Sequence, residues 1–169
     1  EQIYQTYLAK LTRFALWLLE RGYALRLLVG EVSDQRAVQD LTAAITAARG
    51  ELAPEQLVAE RIGSLPDLLR QIAVTDMVVA TRFHNVLCAL MMSKPVISLG
   101  YAQKNDVLMA EMGLGDYCQH IESFDVDCLI KHFIELEQKA PQFQAHMQQK
   151  NHEYCHALQQ QYNAILSTV

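Results

Sequence analysis

The sequence has 169 residues, of which 51% are hydrophobic and 20% are charged, a composition that suits one globular domain and is marginal for two. Its formal net charge is −5 and it contains no basic run, which excludes nucleic-acid binding through a basic surface. The most apolar stretches, residues 14–19 and 86–92, are far shorter than the ~20 residues of a membrane-spanning helix, so no transmembrane segment is predicted.

Hydrophobic periodicity predicts short apolar strands that alternate with helices along the chain. The predicted helices cover residues 3–19, 34–50, 64–72, 83–92, 105–112, 126–139 and 143 onward, and the predicted strands cover residues 24–29, 57–62, 77–80, 95–99 and 117–121. This order is typical of a parallel sheet covered by helices on both faces. We therefore predict a Rossmann-like α/β fold with about five strands, in a single domain over residues 1–169.

Helix-end signals accompany several of these boundaries. Ser33 or Asp34 is in position to cap the second helix, and the pattern Ser64-Leu-Pro-Asp67 is typical of a capping box at the start of the third. Pro141 is expected to end the helix predicted over residues 126–139. Because ligands of parallel sheets bind beyond the carboxyl ends of the strands, polar residues that follow strands are the first candidates for function.

The first candidate is the run Thr81-Arg82-Phe83-His84, which directly follows the predicted strand 77–80 and opens a helix. A helix start offers free N–H groups and the positive end of the helix dipole. An arginine supplies a fixed fork for a carboxylate or phosphate, and a histidine can give or take a proton near neutral pH. The run therefore predicts an anion site, the alternative being a surface Arg and a His at the sheet edge.

The second candidate is the loop from Gly100 to Asn105, which follows the predicted strand 95–99. Consecutive strands of such sheets are often neighbours, so we expect this loop to lie beside the first one. Lys104, near the predicted helix start, could then meet the same anion. Taken in isolation, the loop is more typical of a solvated lysine in a polar turn.

A third pattern, His152-Glu153-Tyr154-Cys155-His156, matches the H-E-x-x-H motif of zinc hydrolases. A catalytic zinc needs a third protein ligand, and no His, Asp, Glu or Cys follows His156. We therefore expect no metal here and interpret the segment as a solvated helix face.

The remaining sequence signals concern the compartment. The four cysteines are widely scattered without a C-x-x-C pair, so they do not indicate a disulfide framework. The polar amino end, residues 1–10, lacks the basic region and apolar core of a signal peptide. We expect a reducing, cytoplasmic compartment. Because the chain begins without Met, we interpret it as a piece of a longer protein.

The stretch of residues 76–104, continued by Gly113-Leu114, resembles the polysaccharide pyruvyl transferase family. In that family an Asp precedes an apolar strand, R-x-H opens the next helix, a Pro-Val turn begins the next strand and Tyr-x-x-Lys follows it, while Gly-Leu ends the helix after that. Here these points occur in the same order, from Asp76 to Leu114. Phe83 departs from the family, in which Leu is commoner at that position, and the two residues between Tyr101 and Lys104 are atypical.

The resemblance implies the carboxyl-terminal, donor-binding half of a two-domain GT-B-like fold. The amino-terminal domain, which is expected to receive the acceptor, would be missing, and the isolated chain would be inactive. The implied reaction moves the enolpyruvyl unit of phosphoenolpyruvate onto a sugar of a cell-surface or exopolysaccharide, forming a pyruvate ketal and releasing phosphate. The partners implied are phosphoenolpyruvate, a sugar or lipid-linked saccharide acceptor and the missing domain, and neither a cofactor nor a metal is implied.

The implied site residues agree with the chemistry of that donor. Phosphoenolpyruvate carries a carboxylate and a phosphate, which need at least two cationic or N–H-donating groups. Ketal formation needs a proton donor for the methylene carbon and a proton acceptor for the sugar hydroxyl, and His84 is the candidate for one of these roles. The implied catalytic residues are His84 and Arg82, and the implied substrate-binding residues are Thr81, Asn85, Tyr101 and Lys104.

Two other functions are compatible with the same residues. The first is a nucleotide-sugar-binding domain of a GT-B glycosyltransferase, because an Arg and a Lys at strand ends would also suit a diphosphate. The second is a non-catalytic domain that binds an anionic ligand or a partner.

Overall fold

The computed structural model describes residues 2–29 and 34–167 of the chain. In chain order the elements are α1 (Gln2–Glu20), β1 (Leu25–Arg26), α2 (Gln35–Arg49), β2 (Leu57–Val58), α3 (Leu65–Ala73), β3 (Val78–Ala80), α4 (Phe83–Met91), β4 (Val96–Gly100), α5 (Gln103–Glu111), β5 (Cys118–His120), α6 (Val126–Gln138) and α7 (Ala140–Leu166). Every predicted strand is present in a shortened form or shifted by one residue, and the parallel, helix-covered α/β class is confirmed.

The strands form two parallel ladders among the described residues, one of β1 with β2 and one in which β4 lies between β3 and β5. In the first ladder only two residues of each strand are paired, with Leu25 opposite Leu57. In the second, Ala80 lies opposite Ser98 and Gly100 opposite His120. The single sheet of about five strands is therefore divided, because the short, half-buried β1 is not hydrogen-bonded to β3 in the part of the chain that the structure describes.

The larger core surrounds β4, which is buried at all five positions, as expected for a central parallel strand covered on both faces. Its surroundings include the fully buried Val86 and Ala89 of α4 and Leu129 of α6. A smaller core joins α1 to α2 through Ala15, Leu19 and Ile45. The two cores correspond to the two ladders.

The helix starts agree only partly with the capping signals. Ser64 caps α3 as predicted, since its Oγ accepts from the backbone N–H of Asp67 and donates to that residue's carboxylate at 2.7 Å. Asp34 precedes α2 but makes no capping hydrogen bond, and Ser33 lies outside the described residues. The helix predicted over residues 126–139 ends before Pro141, as expected, at Gln138. The predicted start of the last helix at residue 143 is wrong, because Pro141 lies in the first turn of α7, where the N–H that a proline lacks would have no partner within the helix.

The last helix, α7, leaves the core halfway along its 27 residues. Met147 is fully buried, and Asn151 donates from its side-chain amide to the backbone oxygen of Leu90 at 2.9 Å. Beyond Asn151 the helix is exposed, including its large apolar side chains Tyr154 and Leu158. Neither this helix nor any other in the described ranges is both long and apolar enough to cross a membrane.

Candidate functional site

The loops that follow β3 and β4 lie at one edge of the larger sheet, because the two strands are parallel and adjacent. Thr81 and Arg82 follow β3 and lead into α4, while Tyr101 and Ala102 follow β4 and lead into α5. Both helix starts therefore direct free backbone N–H groups toward this edge. Arg82 and Ala102, the residues just before the two helices, have extended backbones, and neither caps its helix with a side chain.

Arg82 reaches from this edge to the start of α2. Its Nε donates to Oδ2 of Asp34 at 3.1 Å and its Nη2 donates to Oδ1 at 2.5 Å. The pair is partly buried, with 32% of the Arg82 side chain and 25% of the Asp34 side chain exposed. The bidentate interaction that was expected between the Arg82 guanidinium and an anionic ligand is thus made with a carboxylate of the protein itself. Asp34 was considered only as a helix cap, although it follows β1 and so met the criterion of a polar residue after a strand.

Tyr7 of α1 was also missed, because its spacing made it one residue of an apolar helix face. Its hydroxyl is hydrogen-bonded to the side chain of Thr81, and burial, with a smaller contribution from the nearby Asp34 carboxylate, raises the pKa of Tyr7 to about 12. The phenol therefore stays neutral and can both donate and accept a hydrogen bond at physiological pH.

His84 and Lys104 both contact one aromatic ring, that of Phe83. The Nζ of Lys104 is 4.5 Å from the Phe83 ring centroid, a cation–π contact, and the His84 ring meets Phe83 edge-on with centroids 5.8 Å apart. Both polar side chains are exposed. Phe83, the residue that departs from the family pattern, is thus in contact with both of these side chains.

A cavity of about 670 Å³ lies between the two ladders. Thr81, Arg82, Asn85 and Tyr101 line it, together with residues of α1, β1, α2 and β3, whereas His84 and Lys104 do not. The six predicted site residues are therefore divided between the cavity and the adjacent helix starts. Asn85 is only 7% exposed, and its Oδ1 has no hydrogen-bond partner within residues 2–29 and 34–167.

A second group of buried polar atoms lies behind the start of α5. Ser98 is fully buried and Asn105 is 2% exposed, and neither the Ser98 Oγ nor the Asn105 Oδ1 has a partner among the residues described. A Cβ added to Gly100 would lie 2.8 Å from the Asn105 Nδ2. Glycine is thus needed at the end of β4 because the Asn105 side chain packs against the strand there.

The H-E-x-x-H segment lies on the exposed part of α7. Glu153 accepts from Gln149 at 3.0 Å and contacts Lys150 at 3.3 Å. In the described part of the chain no three His, Cys, Asp or Glu side chains are close enough together to hold a metal ion. An open groove of about 820 Å³ along α1 lies between α2 and α6, away from the carboxyl ends of β3 and β4.

Comparison with known proteins gives one family. The model of the family described as polysaccharide pyruvyl transferase matches residues 2–103. The match extends from α1 into the first residue of α5 and so includes every candidate residue except Lys104, which follows it directly. No curated protein and no solved structure matches the chain.

Proposed function

The chain belongs to the polysaccharide pyruvyl transferase family, and from this premise we propose that it is the donor-binding domain of an enzyme that uses phosphoenolpyruvate. The enzyme transfers the enolpyruvyl unit to a sugar, free or lipid-linked, of a cell-surface or exopolysaccharide. The amino-terminal domain of the two-domain fold would complete the active site. We propose a cytoplasmic location, because all four cysteines are free thiols.

The observation that carries this proposal is the convergence of two helix starts with two cationic side chains at one sheet edge. The starts of α4 and α5 each offer backbone N–H groups, Arg82 adds a guanidinium fork and Lys104 adds an ammonium. Phosphoenolpyruvate carries two anionic groups, its carboxylate and its phosphate, both attached to the carbon C2 of a short molecule. Two separate but adjacent cationic points suit such a donor better than one.

The reaction defines what these residues must do. One sugar hydroxyl oxygen bonds to C2 of phosphoenolpyruvate while the methylene carbon C3 gains a proton and becomes a methyl group. A second hydroxyl of the sugar then bonds to C2 and the C2–O bond to phosphate breaks, which closes the ketal and releases inorganic phosphate. The two hydroxyl protons are thus balanced by one on C3 and one on phosphate or solvent.

We assign one of these proton transfers to His84, which is exposed beside Lys104 at the start of α4 and so is accessible to a bound donor. Arg82 is assigned to the donor's carboxylate or phosphate, an interaction that must compete with the carboxylate of Asp34. Thr81, Asn85 and Tyr101 contribute the adjoining polar surface.

Thermal-shift titration of the 169-residue chain tests the donor. Phosphoenolpyruvate is expected to raise the melting temperature in a concentration-dependent way, and Lys104→Ala is expected to weaken the effect. The matched control is Lys131→Ala, since Lys131 is an exposed lysine of α6. Protection by UDP-glucose without protection by phosphoenolpyruvate would instead identify a glycosyltransferase domain. Protection by neither would leave the non-catalytic binding domain as the better description.

A further inference from the structure

We infer that the cavity between the two ladders binds a ring of the neutral acceptor saccharide, with the buried amide of Asn85 as its hydrogen-bonding anchor. This inference rests on the proposed function and names where its second substrate lies. The acceptor was expected on the amino-terminal domain, whereas the cavity would give this chain a share in acceptor binding.

The first argument is the state of Asn85. Its side chain lines the cavity and is 7% exposed, yet its Oδ1 accepts no hydrogen bond among the described residues. A buried carbonyl oxygen without a donor is costly, because it has lost its water without replacing it. The oxygen itself is enclosed in the free protein, so a ligand hydroxyl in the cavity supplies the missing donor once the amide turns its oxygen toward it.

The second argument is the charge of the cavity. Among the lining residues that the structure describes, Arg26 and Arg82 are balanced by Asp34 and Glu122. Arg82 is paired with Asp34, and Arg26 lies 3.7 Å from Glu60. The cavity thus offers no excess positive charge to a multiply charged anion, whereas Lys104 lies outside it. A neutral ligand with many hydroxyls suits this lining better than phosphoenolpyruvate does.

The third argument is the shape and chemistry of the walls. A volume of about 670 Å³ falls within the ~300–1,000 Å³ usual for small-molecule sites. Most of the wall is apolar, with the neutral phenol of Tyr7 inside and the 58% exposed ring of Tyr101 in the lining. A sugar ring presents both C–H faces and hydroxyls, and so matches apolar walls that carry a few polar groups.

The fourth argument is position. Thr81 and Arg82 belong to the cavity wall and also to the loop that leads into α4. A saccharide in the cavity would therefore lie next to a donor held at the helix starts. Two substrates fixed side by side in this way need no further reorganisation to meet.

Saturation-transfer difference NMR tests the inference by measuring binding of methyl glycosides to the 169-residue chain. The glycosides are those of glucose, galactose, mannose and N-acetylglucosamine. At least one glycoside is expected to bind, and Asn85→Leu is expected to weaken it by about fivefold, as for one lost hydrogen bond. Because Oδ1 has no partner among the described residues, Asn85→Leu is also expected to keep or raise the melting temperature. The control is Ser98→Ala, which removes a buried oxygen that likewise has no partner within the described ranges. Ser98 does not line the cavity, so this variant should leave glycoside binding unchanged.

The donor serves as an independent readout. Phosphoenolpyruvate is expected to protect wild type and the cavity-filling Ala37→Trp equally, since Ala37 lines the cavity and has no role in the donor site, and it is not expected to displace the glycoside. Three results would overturn the inference. Phosphoenolpyruvate could displace the glycoside, or none of the glycosides could bind. The third is glycoside binding that survives both Asn85→Leu and the cavity-filling Ala37→Trp. In each of these cases protection by phosphoenolpyruvate would leave the proposed function standing, whereas loss of that protection in wild type would remove the proposed function itself.

Discussion

The guanidinium of Arg82 and the carboxylate of Asp34 form a two-point ion pair between residues 48 positions apart in the chain. Arg82 follows β3 of the larger ladder, and Asp34 directly precedes α2, which packs in the smaller core. The pair therefore joins the two halves of the domain at the edge where the donor is proposed to bind. An anion that binds the Nε–Nη2 edge of Arg82 must replace the Asp34 carboxylate that already occupies it.

Replacing Asp34 with Asn should make the fork easier to occupy. Asp34→Asn removes the competing negative charge while keeping the size of the side chain, so we expect phosphoenolpyruvate to bind about 3–10-fold more tightly, the range for one weakened charge contact. The folded state should lose no more than about 1 kcal/mol, since the pair is partly exposed. Isothermal titration calorimetry measures the affinity and urea unfolding the stability. Weaker donor binding would mean that Asp34 orients Arg82 rather than competing for it.

Arg82→Lys should impair the donor site because Lys keeps the charge but cannot form the bidentate fork. We expect a loss of ~1.5–3 kcal/mol in donor binding or transition-state stabilisation, the range for a charge-assisted hydrogen bond. The fold should survive, because Arg82 lies at a strand end rather than in the core. Steady-state kinetics of a two-domain form, with phosphoenolpyruvate varied at fixed sugar, provide the measurement. Wild-type kinetics, or a loss of activity caused only by unfolding, would contradict the anion-binding role.

Phe83→Leu should act through Lys104. Leu restores the commoner residue of the family but removes the ring below the Lys104 ammonium, a contact that contributes about 0.5–1 kcal/mol at an exposed site. We expect a two- to fivefold weaker affinity for phosphoenolpyruvate, as that energy implies. A double-mutant cycle is the check: in a Lys104→Ala background, Phe83→Leu should have no further effect. Equal effects in both backgrounds would show that Phe83 does not act through Lys104.

The helical and strand pattern could be predicted because it depends on local periodicity. The apolar run that forms β4, the Ser64 cap and the helix starts after β3 and β4 all follow from neighbours in sequence. The divided sheet could not be predicted, because it depends on the tertiary placement of β1 relative to β3. The residues of the two strands do not determine whether the strands pair. Pro141 shows the same limit, since a proline is equally compatible with the end of one helix and the first turn of the next.

The candidate site was predictable where its residues directly follow neighbouring strands, as in the loops after β3 and β4. Arg82 and His84 stand two residues apart and follow a strand, so the pattern identified them together. Tyr7 and Asp34 reach the same edge from α1 and from the start of α2, through packing that no local pattern encodes. Phe83 was noted as a departure from the family, but its contact with Lys104 depends on the relative placement of α4 and α5.

Gly100→Ala should destabilise the domain through overpacking. The added Cβ would lie 2.8 Å from Asn105 Nδ2 and 3.2 Å from Ser98 Oγ, and both neighbours are buried. We expect a loss of about 1–3 kcal/mol in the free energy of unfolding, measured in urea. Asn105→Ala in the same chain should recover part of that loss, because it removes the nearest atom. Losses that simply add in the double variant would show that Asn105 is not the obstacle.

Tyr7→Phe should change how stability depends on pH above 10. The folded-state pKa of Tyr7 is raised from 10.0 to about 12, mainly by burial, so the unfolded chain releases this proton first. Stability contributed by the neutral phenol is complete below pH 10 and is lost as the pH rises through about 12. The free energy of unfolding of wild type should therefore fall by about 2–3 kcal/mol more than that of Tyr7→Phe across this pH window, which is the equivalent of two pKa units. Parallel pH profiles of the two proteins would contradict this.

The weakness of the β1–β2 ladder has a consequence for motion. Only two residues of each strand are paired in this ladder, and backbone hydrogen bonds of 2.8 Å from Leu25 N to Gln56 O and from Leu27 N to Val58 O flank the pairing. The β3–β4–β5 ladder has three paired residues at each interface and a fully buried centre. The two walls of the cavity should thus open with different free energies, so the amide hydrogens of β1 exchange with solvent well before those of β4. A ligand that contacts both walls would stabilise β1 against the β3–β4–β5 ladder and so slow the exchange of the β1 amide hydrogens.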